Sequence, residues 1–70
     1  MKVIKIKTEY IELQQLLKME DLISSGGQAK YFLAQEEVFV NNQREERRGR
    51  KLRSGDIIRI GNDEYQISDN

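Results

Sequence analysis

The sequence predicts a small α+β domain, two adjacent helices against a set of short strands in the order β-α-α-β-β-β-β. Three observations predict it. Apolar residues recur at helical spacing in two neighbouring stretches and at strand spacing elsewhere. Turn-forming clusters (Ser24-Ser25-Gly26-Gly27, Asn41-Asn42, Ser54-Gly55-Asp56 and Gly61-Asn62-Asp63) punctuate those stretches where proline, absent from the chain, cannot. Finally, 70 residues with just over a third apolar leave room for one domain, near the lower size at which a core supports a fold unaided.

The elements follow in order. Residues 2–7 read as a strand, with Ile4 and Ile6 on one face and Lys5 and Lys7 on the other. These lysines are either a solvated, aggregation-resistant edge or a secondary phosphate contact. From Ile11 to Met19 the spacing turns helical: Leu13, Leu16 and Leu17 form the apolar stripe, and Glu12 and Lys18 suit the two ends of the helix dipole. Leu22 and Ile23 then read as apolar plugs in the connection. A second helix runs from Gly27 to Gln35, with Ala29, Phe32 and Leu33 inward, Lys30 outward and a serine oxygen capping its start. Val38-Phe39-Val40 is a strand closed by Asn41-Asn42, where Asn42 is expected at positive φ. The returning strand begins near Gln43, and two further strands follow at Ile57–Ile60 and Tyr65–Ile67.

Composition excludes several chemistries. The chain has neither cysteine nor histidine, so disulfides, thiolate nucleophiles and the usual zinc ligands are ruled out. Its N-terminal stretch lacks the continuous apolar core of a signal peptide, and no run approaches the roughly 18 apolar residues of a membrane span. The expectation is a cytoplasmic monomer with no membrane association and no cofactor. Acidic residues occur as sequence neighbours on turns, with no general base in a special environment, so no enzyme is expected.

Charge is distributed unevenly. Arg44, Arg47, Arg48, Arg50, Lys51 and Arg53 hold half of the 12 basic residues within one decapeptide, against only Glu45 and Glu46. That segment has a net charge of +4 in a neutral protein, which makes a local electrostatic footprint. Gly49 is the expected turn within it. Glu45 and Glu46 read as loop carboxylates pairing with neighbouring arginines, each pair contributing under about 1 kcal/mol.

The blocks Leu13–Lys18, Ser25–Lys30, Val38–Gln43 and Lys51–Ile58 together resemble the S4 RNA-binding domain, and in particular the small stand-alone bacterial S4 proteins of the YaaA type. The resemblance runs from Ile11 to Ile60, and residues 1–70 are read as one domain of this type. It implies an αL-like fold, two packed helices on a small, strongly bent antiparallel sheet, here with an added N-terminal strand. It also implies binding of structured RNA, ribosomal RNA or a ribosomal particle, in ribosome assembly or association. By position the RNA face would comprise Gln28 and Lys30 of the second helix, Asn41 at the hairpin, and the basic segment leading to Lys51. Three positions depart from the family pattern. Gln14 stands where aspartate is common, after Glu12-Leu13 in place of an arginine-leucine pair, and Glu36 and Asn42 stand where glycine is usual.

Arginine suits this role because its planar fork matches phosphate oxygens and stacks on exposed bases. Duplex RNA hides its base edges, so proteins engage it through phosphates, 2′-hydroxyls and shape. Neutralising four to six phosphates predicts that log K falls against log salt with a slope of roughly −3 to −5. Tyr31, beside Lys30, is the candidate for stacking a base, whereas Tyr10 and Tyr65 are expected to cap the core. The competing class is a protein-interaction adaptor whose arginine-rich loop meets an acidic partner. A DNA-binding module ranks third, because neither helix carries base-reading residues.

Overall fold

The computed structural model describes residues 1–69. Strands β1 (Lys2–Lys5) and β2 (Ile11–Glu12) precede helices α1 (Leu13–Met19) and α2 (Gly26–Gln35). Strands β3 (Val38–Val40), β4 (Gln43–Arg44), β5 (Lys51–Leu52), β6 (Ile57–Ile60) and β7 (Asp63–Ser68) follow. Five strands form a sheet in the order β1-β7-β6-β3-β4, while β2 and β5 pair with each other. The expected α+β architecture is present. Only β2 and β5 are additions, and two-residue strands leave no periodicity to read.

The expected antiparallel sheet is present in β4, β3, β6 and β7, and the added N-terminal strand joins its edge in parallel, so the whole sheet is mixed. β1 runs parallel to β7, with Ile4 opposite Ile67. Almost the whole domain separates these two strands, so no hairpin dictates their direction. Register is set instead by burial, since Ile4 and Ile67 are both in the core. The ladder ends at Lys5 rather than Lys7, although Ile6 stays buried and its N–H donates to the Ser68 carbonyl at 2.8 Å.

Leu13, Leu16 and Leu17 are fully buried, and Ala29 and Leu33 of α2 join them against Val38, Val40, Ile58 and Ile67 of the sheet. Burying each of the larger side chains contributes about 1.5–3 kcal/mol. Phe32 is only partly buried at the core margin, and of the two expected plugs Ile23 is buried whereas Leu22 is exposed.

Helix α1 stops in a Schellman arrangement. The Leu22 N–H reaches the Leu17 carbonyl at 2.9 Å and the Asp21 N–H reaches the Lys18 carbonyl at 3.1 Å. Asp21 consequently sits at φ 60°, where glycine is the usual residue. At the start of α2, Ser25 is extended but makes no side-chain cap. The longer Gln28 side chain reaches back instead, its Oε1 accepting the Ser24 N–H at 2.5 Å. The β3–β4 turn places Asn41 and Asn42 both at positive φ, 51° and 69°, as a two-residue type I′ hairpin demands. Glu36 is extended at φ −103°, so this position does not need a glycine.

Candidate nucleic-acid interface

The basic segment is a strap, not a free loop. Its carbonyls close the N-terminus of α1: Arg50 accepts the Leu13 N–H at 2.8 Å and Arg48 accepts the Gln14 N–H at 2.9 Å. These are two of the helix donors that have no intrahelical partner. Gln15 completes the end by accepting the Glu12 N–H at 2.8 Å, one half of a capping box. Farther along, Lys51-Leu52 pairs with Glu12-Ile11, and Leu52 is fully buried. A turn over Arg47–Arg50, closed by the Arg50 N–H to the Arg47 carbonyl at 3.2 Å, joins these anchors. Gly49 lies in that turn as expected, but a Cβ there would meet nothing and its φ is not positive.

Glu45 is the second anchor and the only buried charged residue among those described. The Asn41-Asn42 turn fixes the pairs Val40–Gln43 and Phe39–Arg44, which brings Glu45 opposite Val38. The Glu45 N–H donates to the Val38 carbonyl at 2.8 Å. Directly opposed residues share a face, so Glu45 points inward with Val38. Its carboxylate is fully engaged. Oε2 accepts the Arg47 N–H and Nε, both at 3.0 Å, and Oε1 accepts Arg47 Nη2 at 3.2 Å and Arg50 Nη1 at 2.9 Å. The Arg47 side chain, then burial opposing it, then the Arg47 amide and Arg50 set its acidity, and the net result holds the carboxyl down at about 2. Loop pairing by Glu45 was expected, but a buried four-bond hub differs in kind from an exposed ion pair. Glu46 is exposed.

The other basic residues are sorted by their neighbours. Arg48 Nη1 donates to the Gly26 carbonyl at 3.1 Å, at the first residue of α2. Helical geometry directs that carbonyl toward the Lys30 amide one turn on, which brings Arg48 to the base of the exposed Lys30. The Gln14 side chain of α1 also reaches this point, its Oε1 lying 2.8 Å from where a Cβ on Gly26 would stand, a flexible tip that could move aside. Lys51 Nζ and Arg53 Cζ lie 5.0 and 5.2 Å from the centroid of the Tyr10 ring, a cation–π pairing that the half-buried Tyr10 adds to its expected place capping the core. Arg53 also pairs with Glu9 at 3.4 Å.

Four expected contact residues lie apart or are committed elsewhere, Gln28 among them through the Ser24 N–H that its Oε1 accepts. Arg44 reaches the far end of α2, 3.5 Å from the Leu33 and Glu36 carbonyls and 3.9 Å from Glu37. Asn41 spends its side chain on the fold, donating to Asp56 Oδ1 and accepting the Ile57 N–H, both at 3.0 Å. Tyr31 is 73% exposed, but it turns about 100° around α2 from Lys30 and lines a shallow groove with Leu22, Phe32 and Gln28. Tyr65 is buried, as expected of a core cap, and burial raises its pKa. Among the described residues no group of three or more acidic side chains is placed to hold a metal ion, and no helix is long and apolar enough to cross a membrane.

Two helices on a mixed sheet, with a cationic strap docked on both helix starts, define a small S4-type domain. The match to the S4 domain family covers residues 4–68, and the chain belongs to that family. It is 54% identical over 57 residues to the probable ribosome maturation protein RlbA of Bacillus subtilis, covering 81% of this chain and 80% of that protein. No solved structure gives a significant match.

Proposed function

We propose that this protein binds structured RNA, ribosomal RNA in particular, and acts in ribosome maturation as a binding protein without catalysis of its own. The observation that carries this reading is the strap. Five cations, Arg47, Arg48, Arg50, Lys51 and Arg53, are concentrated in a backbone-anchored segment beside the starts of both helices, within a chain of the S4 domain family. The ribosomal part rests on the similarity to a protein named for ribosome maturation. Lys30, Arg47, Arg48, Arg50 and Lys51 form the proposed phosphate-contacting set, with Arg53 at its edge. Fixed guanidinium and ammonium groups of this kind suit duplex RNA, which offers phosphates and shape rather than readable base edges.

A salt titration of binding to a structured ribosomal RNA hairpin and to DNA of the same sequence tests the proposal. The expected outcome is RNA-preferred binding with a slope of log K against log salt near −4. That binding should disappear in an Arg47→Ala/Arg48→Ala/Arg50→Ala/Lys51→Ala variant that remains folded by circular dichroism. Equal or negligible binding to both nucleic acids would overturn it and favour the adaptor class. A protein partner retained after nuclease treatment would then be the next observation to seek.

A further inference from the structure

We infer that Glu45, an acidic residue inside the cationic strap, is a positioning residue for RNA binding that acts by holding the guanidinium groups of Arg47 and Arg50 in one fixed arrangement. The inference rests on the RNA-binding reading and deepens it.

A carboxylate is an improbable neighbour for phosphate, and a buried one is unfavourable unless fully hydrogen-bonded. Here all the satisfaction comes from the strap itself: one amide and two guanidinium groups occupy both carboxylate oxygens. Arg47 gives Glu45 the edge of its fork that carries Nε and Nη2, which leaves Nη1 and the outer edge for another anion. The Arg47 side chain is still 75% exposed despite the bidentate contact, so its free edge faces solvent. Arg50, by contrast, is 30% exposed, and its carbonyl also closes the start of α1. Glu45 therefore ties side-chain orientation to the same strap whose carbonyls cap α1.

Arginine has many rotamers, and ordering them at the moment of binding weakens affinity. A hub that orders two of them beforehand removes that penalty while lowering the local charge by one. The two effects have opposite signs, which makes the inference separable from simple charge counting. Glu46 is the natural control, being the adjacent carboxylate, exposed, and without the four-bond hub.

The test compares Glu45→Gln and Glu46→Gln by RNA affinity and salt slope on the same ribosomal hairpin, with folding followed by circular dichroism. Both substitutions add the same charge. Glu46→Gln is expected to leave affinity unchanged or tighten it up to about threefold, as a charge effect does. Glu45→Gln is expected to weaken it about tenfold, because the fork is released. An Arg47→Lys/Arg50→Lys variant keeps every charge but loses the bidentate geometry, and it should show a comparable loss even if Glu45→Gln folds poorly. In an Arg47→Ala/Arg50→Ala background Glu45→Gln should lose its tenfold weakening and show only the small charge effect of Glu46→Gln, which ties the loss to the two guanidinium groups. If the wild type binds the hairpin and Glu45→Gln binds as tightly as Glu46→Gln, the inference is overturned while the RNA-binding reading stands. If the wild type binds no RNA, both fall together.

Discussion

The Arg48 carbonyl accepts the Gln14 amide at 2.9 Å, so the most basic stretch of the chain is also the N-terminal cap of its first helix. One segment thereby serves both fold and surface: its backbone satisfies helix donors while its side chains project cations. The consequence is a division of labour that substitution can separate.

Arg48 and Lys51 project from fixed backbone, whereas Arg44 is engaged at the far end of α2. Arg48→Ala or Lys51→Ala should each weaken RNA binding several-fold and make the salt slope shallower by about 1. Arg44→Ala should leave RNA affinity within about twofold of wild type, while reducing stability by under about 1 kcal/mol through its exposed pair with Glu37. Filter-binding titrations at several salt concentrations, set beside urea melts, distinguish these outcomes.

Adjacent residues of the strap should behave oppositely in a denaturation experiment. Leu52 is fully buried and Lys51 exposed. Leu52→Ala removes core volume and should destabilise the protein by about 2–5 kcal/mol. Lys51→Ala gives up only the exposed cation–π contact with Tyr10 and should change stability by less than about 1 kcal/mol. A Leu52→Ala midpoint equal to that of wild type would contradict the buried anchor.

Acid should loosen the strap within a defined window. The Glu45 carboxyl lies at about 2 in the folded protein against an ordinary value of 4.5, so the unfolded chain takes up this proton first as pH falls. Stability contributed by Glu45 is therefore fully present above about 4.5 and is lost progressively as pH drops toward about 2. Glu45→Gln should be less stable than wild type at neutral pH and should lose less stability across that window. Melting midpoints of the two proteins, measured from pH 6 downward at constant ionic strength, give the comparison.

Asp21 occupies the left-handed position of a Schellman motif that glycine fills without strain. Asp21→Gly should raise stability by roughly 0.5–1 kcal/mol, the reverse of what glycine does inside a helix. Chemical denaturation with unchanged m-value is the readout; a destabilised variant would count against the motif.

Much of this architecture is legible in the chain because it depends on near neighbours. The leucine spacing at Leu13, Leu16 and Leu17 sets one helix face, and Asn41-Asn42 dictates a two-residue hairpin. That turn even contains the signal for burial of Glu45, since counting pairs back from it places Glu45 across from Val38. The resemblance blocks located the strap and Lys30 by position, though not the company each cation keeps.

By itself the sequence determined the α+β class, the turns, the segregation of charge and the family blocks, all of which follow from periodicity, turn chemistry and composition over short separations. Only the tertiary structure decided that β1 lies parallel to β7, that Arg48 meets Gly26 across 22 residues, that Tyr10 lies beneath Lys51 and Arg53, and that Arg44 turns away. These contacts join residues distant along the chain. Their geometry is set by how the core closes and which backbone donors remain to be satisfied, and neither is a local property of the residues involved.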